Sequence, residues 1–391
     1  MQHSTRATWA IFFVFFSESL VLGNWIPRIP DIVDQVGLTE FTLGVCLLAI
    51  PAGTICAFLV AGQLIERYGL RNSCRIWLPV WALLFTLPGL ITSVYWLFAV
   101  LCLAGFAIGI CEVAMNSKAD MIELQFSKRI MSRCHGFWSL GSMAGALIGS
   151  TLAQWGWSVA QHYLLVMPLT AIFAWLVSTA LPNDVIADDT TDNLPQNKNK
   201  TSTFRLPSAA IAMLCLMPVG IMMIEGAYID WSALFMREEL AASPIVIGIT
   251  YSFFSLVMAA VRLSGDSLAE RFGVARLVKI STISAATGIT LFALSPTTPF
   301  AFAGAALSGF GVALVYPMAI TAAARRPGNV TDNVASMSLF AFAAFLFAPP
   351  MIGFLSEMAN LRWALLSLLP FALLSVYLSS EVTKEASESV S

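Results

Sequence analysis

Charge is scarce in this sequence. Asp, Glu, Lys and Arg make up 11% of the 391 residues, against about 25% in soluble domains. Histidine is rarer still, with only His3, His135 and His162, so a metal centre has little to draw on. The seven cysteines contain no CxxC pair and no zinc-like spacing. All lie in or beside apolar runs and read as small buried hydrophobes. There is no basic run for nucleic acid, no Walker-type phosphate loop and no nucleophile–base pair. Enzymatic, cofactor-dependent and nucleic-acid-binding classes are thereby set aside. What fills the space is apolar: 58% of the residues are hydrophobic and the mean hydropathy is +0.79. The chain is expected to cross a membrane many times.

A spanning helix needs about 20 mostly apolar residues. On that scale twelve spans are expected, near 8–30, 40–65, 74–93, 95–122, 132–155, 161–181, 207–235, 244–268, 275–294, 299–323, 333–357 and 362–380. The N-terminal stretch has no small-x-small cleavage site and contains Glu18, so it reads as the first span and not as a signal peptide. With twelve spans both termini share a side. That side collects 16 of the 21 Lys and Arg residues, and the opposite loops hold only Arg28, Arg237 and Arg362. The positive-inside rule makes the termini cytoplasmic.

The longest polar stretch, Pro182–Pro207, is poor in apolar residues and reads as a cytoplasmic linker. It divides the chain into a six-helix bundle (1–181), the linker (182–206), a second bundle (207–380) and a tail (381–391). The halves echo each other at an offset of 204: "ERYG" at Glu66 returns as "ERFG" at Glu270, "GF" at Gly105 as Gly309, and "IG" at Ile148 as Ile352. Span one carries Asn24-Trp25 where span seven carries Asp230-Trp231. The expected fold is therefore all-α: twelve transmembrane helices as two six-helix pseudo-repeat bundles.

"GQLIERYGLR" (Gly62–Arg71), between spans two and three, resembles the loop motif of the major facilitator superfamily, with a second copy in "GDSLAERFGVAR" (Gly265–Arg276). Within that superfamily "EVAMN", "HGFWSLGSMAGALIG", "EGAYIDWSALF" and "FAPPMIGFLSE" look like the YbjJ-like branch of bacterial inner-membrane proteins. The resemblance implies that spans one, four, seven and ten line a central cavity. It also implies that spans two, five, eight and eleven form the rocking interface.

Four acids fall inside those cavity spans: Glu18, Glu112, Glu225 and Asp230. A carboxylate at membrane depth costs at least about 2.5 kcal/mol. It persists by facing water, by pairing or by taking a proton. No lysine or arginine stands at midspan as an obvious partner, and Arg262 sits too near the cytoplasmic end to reach Asp230. The four are read as proton-coupling candidates; the plainer alternative is helix capping or a local hydrogen bond.

Asn116 shares a helix face with Glu112, and Tyr316 is the 204-offset counterpart of Glu112. Asn24, Trp25, Trp138, Tyr228, Trp231 and His135 complete the substrate-binding candidates, although tryptophan at a membrane interface is commonly an anchor. Gly62, Glu66, Arg67, Gly69 and Arg71, with Arg262, Asp266, Glu270, Arg271 and Gly273 in the second copy, read as an inner gate, with Arg262 and Asp266 spaced to pair within one helix. Gly141, Gly145 and Gly149 allow close helix approach and are expected to pack span five against its partner in the other half, and Pro349-Pro350 is expected to break or kink span eleven.

The leading expectation is a monomeric secondary transporter of the bacterial inner membrane, surrounded by lipid. It is expected to move a small-molecule solute with protons, by uptake of a polar metabolite such as a sugar. Proton-driven efflux of amphipathic compounds is the alternative; Met217, Met222 and Met223 suit it, and the absence of the antiporter-motif proline speaks against it. A ligand sensor without transport is a third possibility.

Overall fold

A computed structural model of the chain describes residues 2–127, 129–184, 209–327 and 329–383. Most of the expected linker and tail, with Lys128, Lys198, Lys200, Arg205 and Lys384 of the charge pattern, lies outside the described residues. The described structure is helical throughout, with no strand among the described residues.

Span one is Gln2–Trp25, followed by a short turn Ile26–Arg28 and a helix Ile29–Val36. Span two comes in two pieces, Glu40–Leu47 and Ala49–Tyr68. Spans three to six are Leu70–Leu84, Val94–Phe126, Met131–Gln154 and Val159–Thr179. In the second half, span seven is broken into Ala209–Leu216 and Val219–Glu238, with Pro218 opening the second piece. Span eight is Pro244–Leu263, continued by Gly265–Phe272. Span nine is Val274–Ala293, and span ten is Thr298–Val312 with Val315–Ala324. Span eleven is Val330–Met358, and span twelve is Leu361–Leu366 with Leu369–Leu378.

Eleven of these are long and apolar enough to cross a membrane by length and composition. The twelfth, span five, is diluted by glycine and serine because it packs closely on both sides. Contrary to the expectation that they face the other half, Gly141 and Gly145 meet the backbone of span one in the same half, and a Cβ on Gly145 would stand 2.7 Å from the Asn24 nitrogen. Its other side packs along span eight. Small residues here bring backbones together, and burial is achieved without large apolar side chains.

The two halves meet unequally. On the side opposite the termini, hereafter the far side, the first piece of span two packs on span eleven, and the Ile29–Val36 helix packs on span seven. Asp34 and Arg237 form a two-pronged ion pair there, at 2.7 and 3.1 Å. Glu357 of span eleven accepts from the Thr39 hydroxyl at 3.0 Å and the Phe41 amide at 3.2 Å, closing the start of span two. Toward the near side, which carries both termini, span eleven makes only slight contact with the second piece of span two, while spans five and eight stay together. Spans one and seven do not pack on each other along their length, and neither do spans four and ten. The space between those four helices is the candidate site.

Of the expected break or kink at Pro349 and Pro350, no break is formed: the helix runs unbroken from Val330 to Met358. The Pro349 carbonyl and the Pro350 Cα sit against Gly44 of span two, within 2.6 and 3.1 Å of where a Cβ would be. The prolines are placed where the two halves touch on the far side, and the neighbouring helix lies against them.

Candidate functional site: a polar cluster between the halves

Glu18 is buried on span one. The Trp138 indole N–H, from span five, donates to its carboxylate, and Trp81 donates to its backbone carbonyl at 3.1 Å. Glu112, half-buried on span four, accepts from the Asn116 amide at 3.0 Å. That bond follows from the one-turn spacing of the two residues. The carboxylates of Glu18 and Glu112 lie within electrostatic reach of each other. Tyr316 of span ten stands within reach of Glu112 from the other half, and its hydroxyl donates to Ser338 at 3.3 Å. Both acids thus have neutral donors, and neither is ion-paired among the described residues.

Glu225 is different. Arg262 Nη2 donates to it at 3.1 Å, and both side chains are largely buried. This corrects the expectation that no cation was available to the midspan acids. Arg262 lies near the end of span eight, but its long side chain reaches back along the helix to the level of Glu225. The expected pairing of Arg262 with Asp266 is accordingly not formed; Asp266 is exposed. Arg262 also donates to Ser139 Oγ at 3.2 Å and to the Ala313 carbonyl at 3.3 Å. Asp230, one and a half turns beyond Glu225, is half-buried and has no hydrogen bond or ion pair among the described residues.

His135 is half-buried against Phe15, with ring centroids 5.4 Å apart, and within electrostatic reach of Arg262. Trp138, through Glu18, also belongs to this cluster. Four other candidates are not brought to it. Asn24 is buried, donating to the Leu20 carbonyl at 2.8 Å and bonded to His162 Nε2 at 2.9 Å. Trp25 packs edge-on against Phe85. Tyr228 stacks on Phe254 at 4.5 Å and 9°. Trp231 is buried against Gly353 of span eleven. These side chains fall on the packed faces of their helices, a distinction the order of residues does not reveal.

Apart from Arg262, which bonds Ser139 and Ser132 of the other half, the gate candidates are not paired across the halves among the described residues. Arg71 instead holds the end of span six: it donates to the Thr179 carbonyl at 2.5 Å and to Asn183, while its amide donates to Asp184 at 3.3 Å. Asp184 also takes the buried Lys118 of span four, at 2.6 Å. Arg67 lies over Tyr68, and Arg271 over Phe272; Glu66, Asp266 and Glu270 are exposed, as is Gly62. Gly69 and Gly273 have φ of 80° and 76°, the left-handed region that favours glycine. The two motif copies thus make equivalent turns.

Sequence reasoning missed a polar seam between spans five and eight. Ser142 and Tyr251 share a hydrogen bond at 2.8 Å, Ser255 donates to the Ser139 carbonyl at 2.9 Å, and Ser252 to the Met143 carbonyl at 3.2 Å. Ser132 donates to the Arg262 carbonyl at 2.5 Å. The signal was there: Ser139 and Ser142, like Ser252 and Ser255, recur at one-turn spacing on helices expected to face each other.

Comparison with known proteins agrees with this architecture. The sequence model of the Major Facilitator Superfamily matches residues 9–236 and again 216–389. The uncharacterized transporter y4wD of Sinorhizobium fredii is 29% identical over 349 residues, covering 89% of this chain and 90% of that protein. The membrane protein MosC of Rhizobium meliloti is 28% identical over 362 residues, covering 91% and 85%. Among solved structures, the nucleoside transporter NupG superposes with a TM-score of 0.71 at 14% identity, covering 97% of this chain and 99% of that one. The transporter FucP, in its outward conformation, gives 0.63 at 15% identity, covering 96% and 98%. With two matched halves around a shared polar cluster, the chain belongs to the major facilitator superfamily and is a membrane transporter, not an enzyme.

Proposed function

We propose that the protein is a proton-coupled transporter that takes up a small polar solute, such as a sugar, across the bacterial cytoplasmic membrane. It works as a monomer with both termini in the cytoplasm. The distribution of Lys and Arg supports that orientation. The observation that carries the coupling is the pair Glu18 and Glu112: two carboxylates within reach of each other, at membrane depth, held only by neutral donors. Two such charges repel, and a low-dielectric site makes the repulsion expensive. A proton relieves it and can be released when the cavity opens to the other side. Asn116 and Tyr316 border the pair with groups that both donate and accept, which suits hydroxyl-bearing solutes. The fold neighbour FucP is a fucose:proton symporter, so the fold accommodates such coupling.

The test is solute-induced alkalinisation. Proteoliposomes are challenged with a panel of sugars, nucleosides and amphipathic compounds, and the external pH is followed. The reading expects at least one polar solute to draw protons inward, and expects Glu18→Gln and Glu112→Gln to abolish the signal. Solute flux with no proton movement, or proton movement intact in both variants, contradicts it.

A further inference from the structure

We propose that Arg262 is a positioning residue through which the charge on Glu225 controls the contact between the two halves. Resting on the transport reading above, this gives Glu225 a role different from proton carriage by Glu18 and Glu112.

The guanidinium is engaged at each of its three nitrogens. Nη2 holds Glu225 at 3.1 Å, Nη1 holds Ser139 Oγ at 3.2 Å, and Nε holds the Ala313 carbonyl at 3.3 Å. Glu225 and Ala313 belong to the same half as Arg262, whereas Ser139 belongs to the other. One side chain therefore joins an acid of the cavity lining to the interface. The backbone of Arg262 is held across the same interface, by the Ser132 hydroxyl. Ser139 is itself fixed, donating to the His135 carbonyl at 3.2 Å, while its own carbonyl accepts from Ser255.

Of the three partners of the guanidinium only Glu225 carries a charge. A charge-assisted bond is roughly twice as strong as a neutral one, so Glu225 fixes where the guanidinium points. The other titratable groups facing this pair are His135 from span five and Tyr251 from span eight. Neither supplies a negative charge at neutral pH. When Glu225 is neutralised, the guanidinium is left largely buried without a counter-ion, a costly arrangement. It is relieved by turning toward water on the near side, and that movement withdraws Nη1 from Ser139. The seam between spans five and eight is thereby loosened at its near end, where those two spans are the main remaining contact between the halves. An ionised Glu225 keeps the near end of the seam shut; a neutral one lets it part.

The test needs no solute. Spin labels are attached at Arg133 and Ser267, both exposed near the near-side ends of spans five and eight, in protein whose exposed Cys56 is replaced by serine. Distance distributions are recorded in lipid nanodiscs at neutral pH. The wild type is expected to give a short, narrow distribution and Glu225→Gln, which removes the charge, a longer and broader one. Ser139→Ala is expected to be broader than the wild type, and Arg262→Lys to lack the narrow form. A Glu225→Gln distribution identical to the wild type, or a Ser139→Ala distribution identical to it, overturns the proposal. Glu112→Gln should leave the distribution unchanged, so loss of proton-driven flux in that variant is judged separately.

Discussion

The two halves handle their buried acids differently. In the N-terminal half, Glu18 and Glu112 stand near each other with only Trp138 and Asn116 as donors. The buried cations of that half are committed elsewhere, Lys118 to Asp184 at the near-side edge and Arg28 to Asp31 on the far side. In the C-terminal half, Glu225 is held by Arg262, which reaches on to Ser139 across the interface. Equal depth and equal residue type therefore do not imply equal work. An acid held by neutral groups can exchange a proton without dismantling anything. An acid held by an arginine that also bridges two domains cannot change charge without moving the bridge.

The sharpest way to break that contrast is to remove the cation. Arg262→Gln leaves Glu225 buried without its partner, and losing one member of a buried pair costs about 3–5 kcal/mol. Thermal unfolding in detergent should show a large loss for Arg262→Gln and little change for Glu112→Gln, which keeps its bond to Asn116. Equal losses would erase the distinction between the halves. Next comes Asp184→Asn. If Lys118 is committed as described, this variant strands a buried ammonium and destabilises by up to about 3 kcal/mol, reduced by the partial exposure of Asp184. A neutral effect would mean that Lys118 has another partner, such as Glu112.

Gly248→Val probes the seam itself. A Cβ there would stand 2.8 Å from the Ala146 carbonyl and closer still to Ser150. Overpacking costs about 1–3 kcal/mol, and the halves can avoid it by separating on the far side. Cysteine accessibility on the far side should rise. The smallest effect belongs to Asp34→Asn. Its ion pair with Arg237 is substantially exposed, and such pairs contribute about 0.2–1 kcal/mol. It should shift the far-side equilibrium slightly, and the shift should vanish in high salt.

Most of the scaffold was readable because a bilayer imposes length and polarity on every span. Even span five, the least apolar, was legible from its length, although Gly141 and Gly145 pack on span one and not, as their spacing suggests, on the other half. The offset between the halves made Tyr316 the counterpart of Glu112, and the two stand within reach of each other. Three things resisted. Which face of a helix carries Asn24, Trp25, Tyr228 or Trp231 depends on rotations too small to read from spacing. The partner of Glu225 was hidden because sequence position measures where the Arg262 backbone sits, while the chemistry happens at the end of a long, flexible stem. The consequence of Pro349-Pro350 was hidden because a proline pair breaks an isolated helix, whereas here Gly44 of the other half lies against it.

The central claim is that the N-terminal acids, and not Glu225, carry the proton. It is tested most directly by comparing solute exchange at equal pH with accumulation driven by a pH gradient, in vesicles holding Glu18→Gln or Glu112→Gln. Free carboxylates that serve only as proton carriers predict exchange retained and accumulation lost in both. Accumulation that survives in both variants would contradict the account.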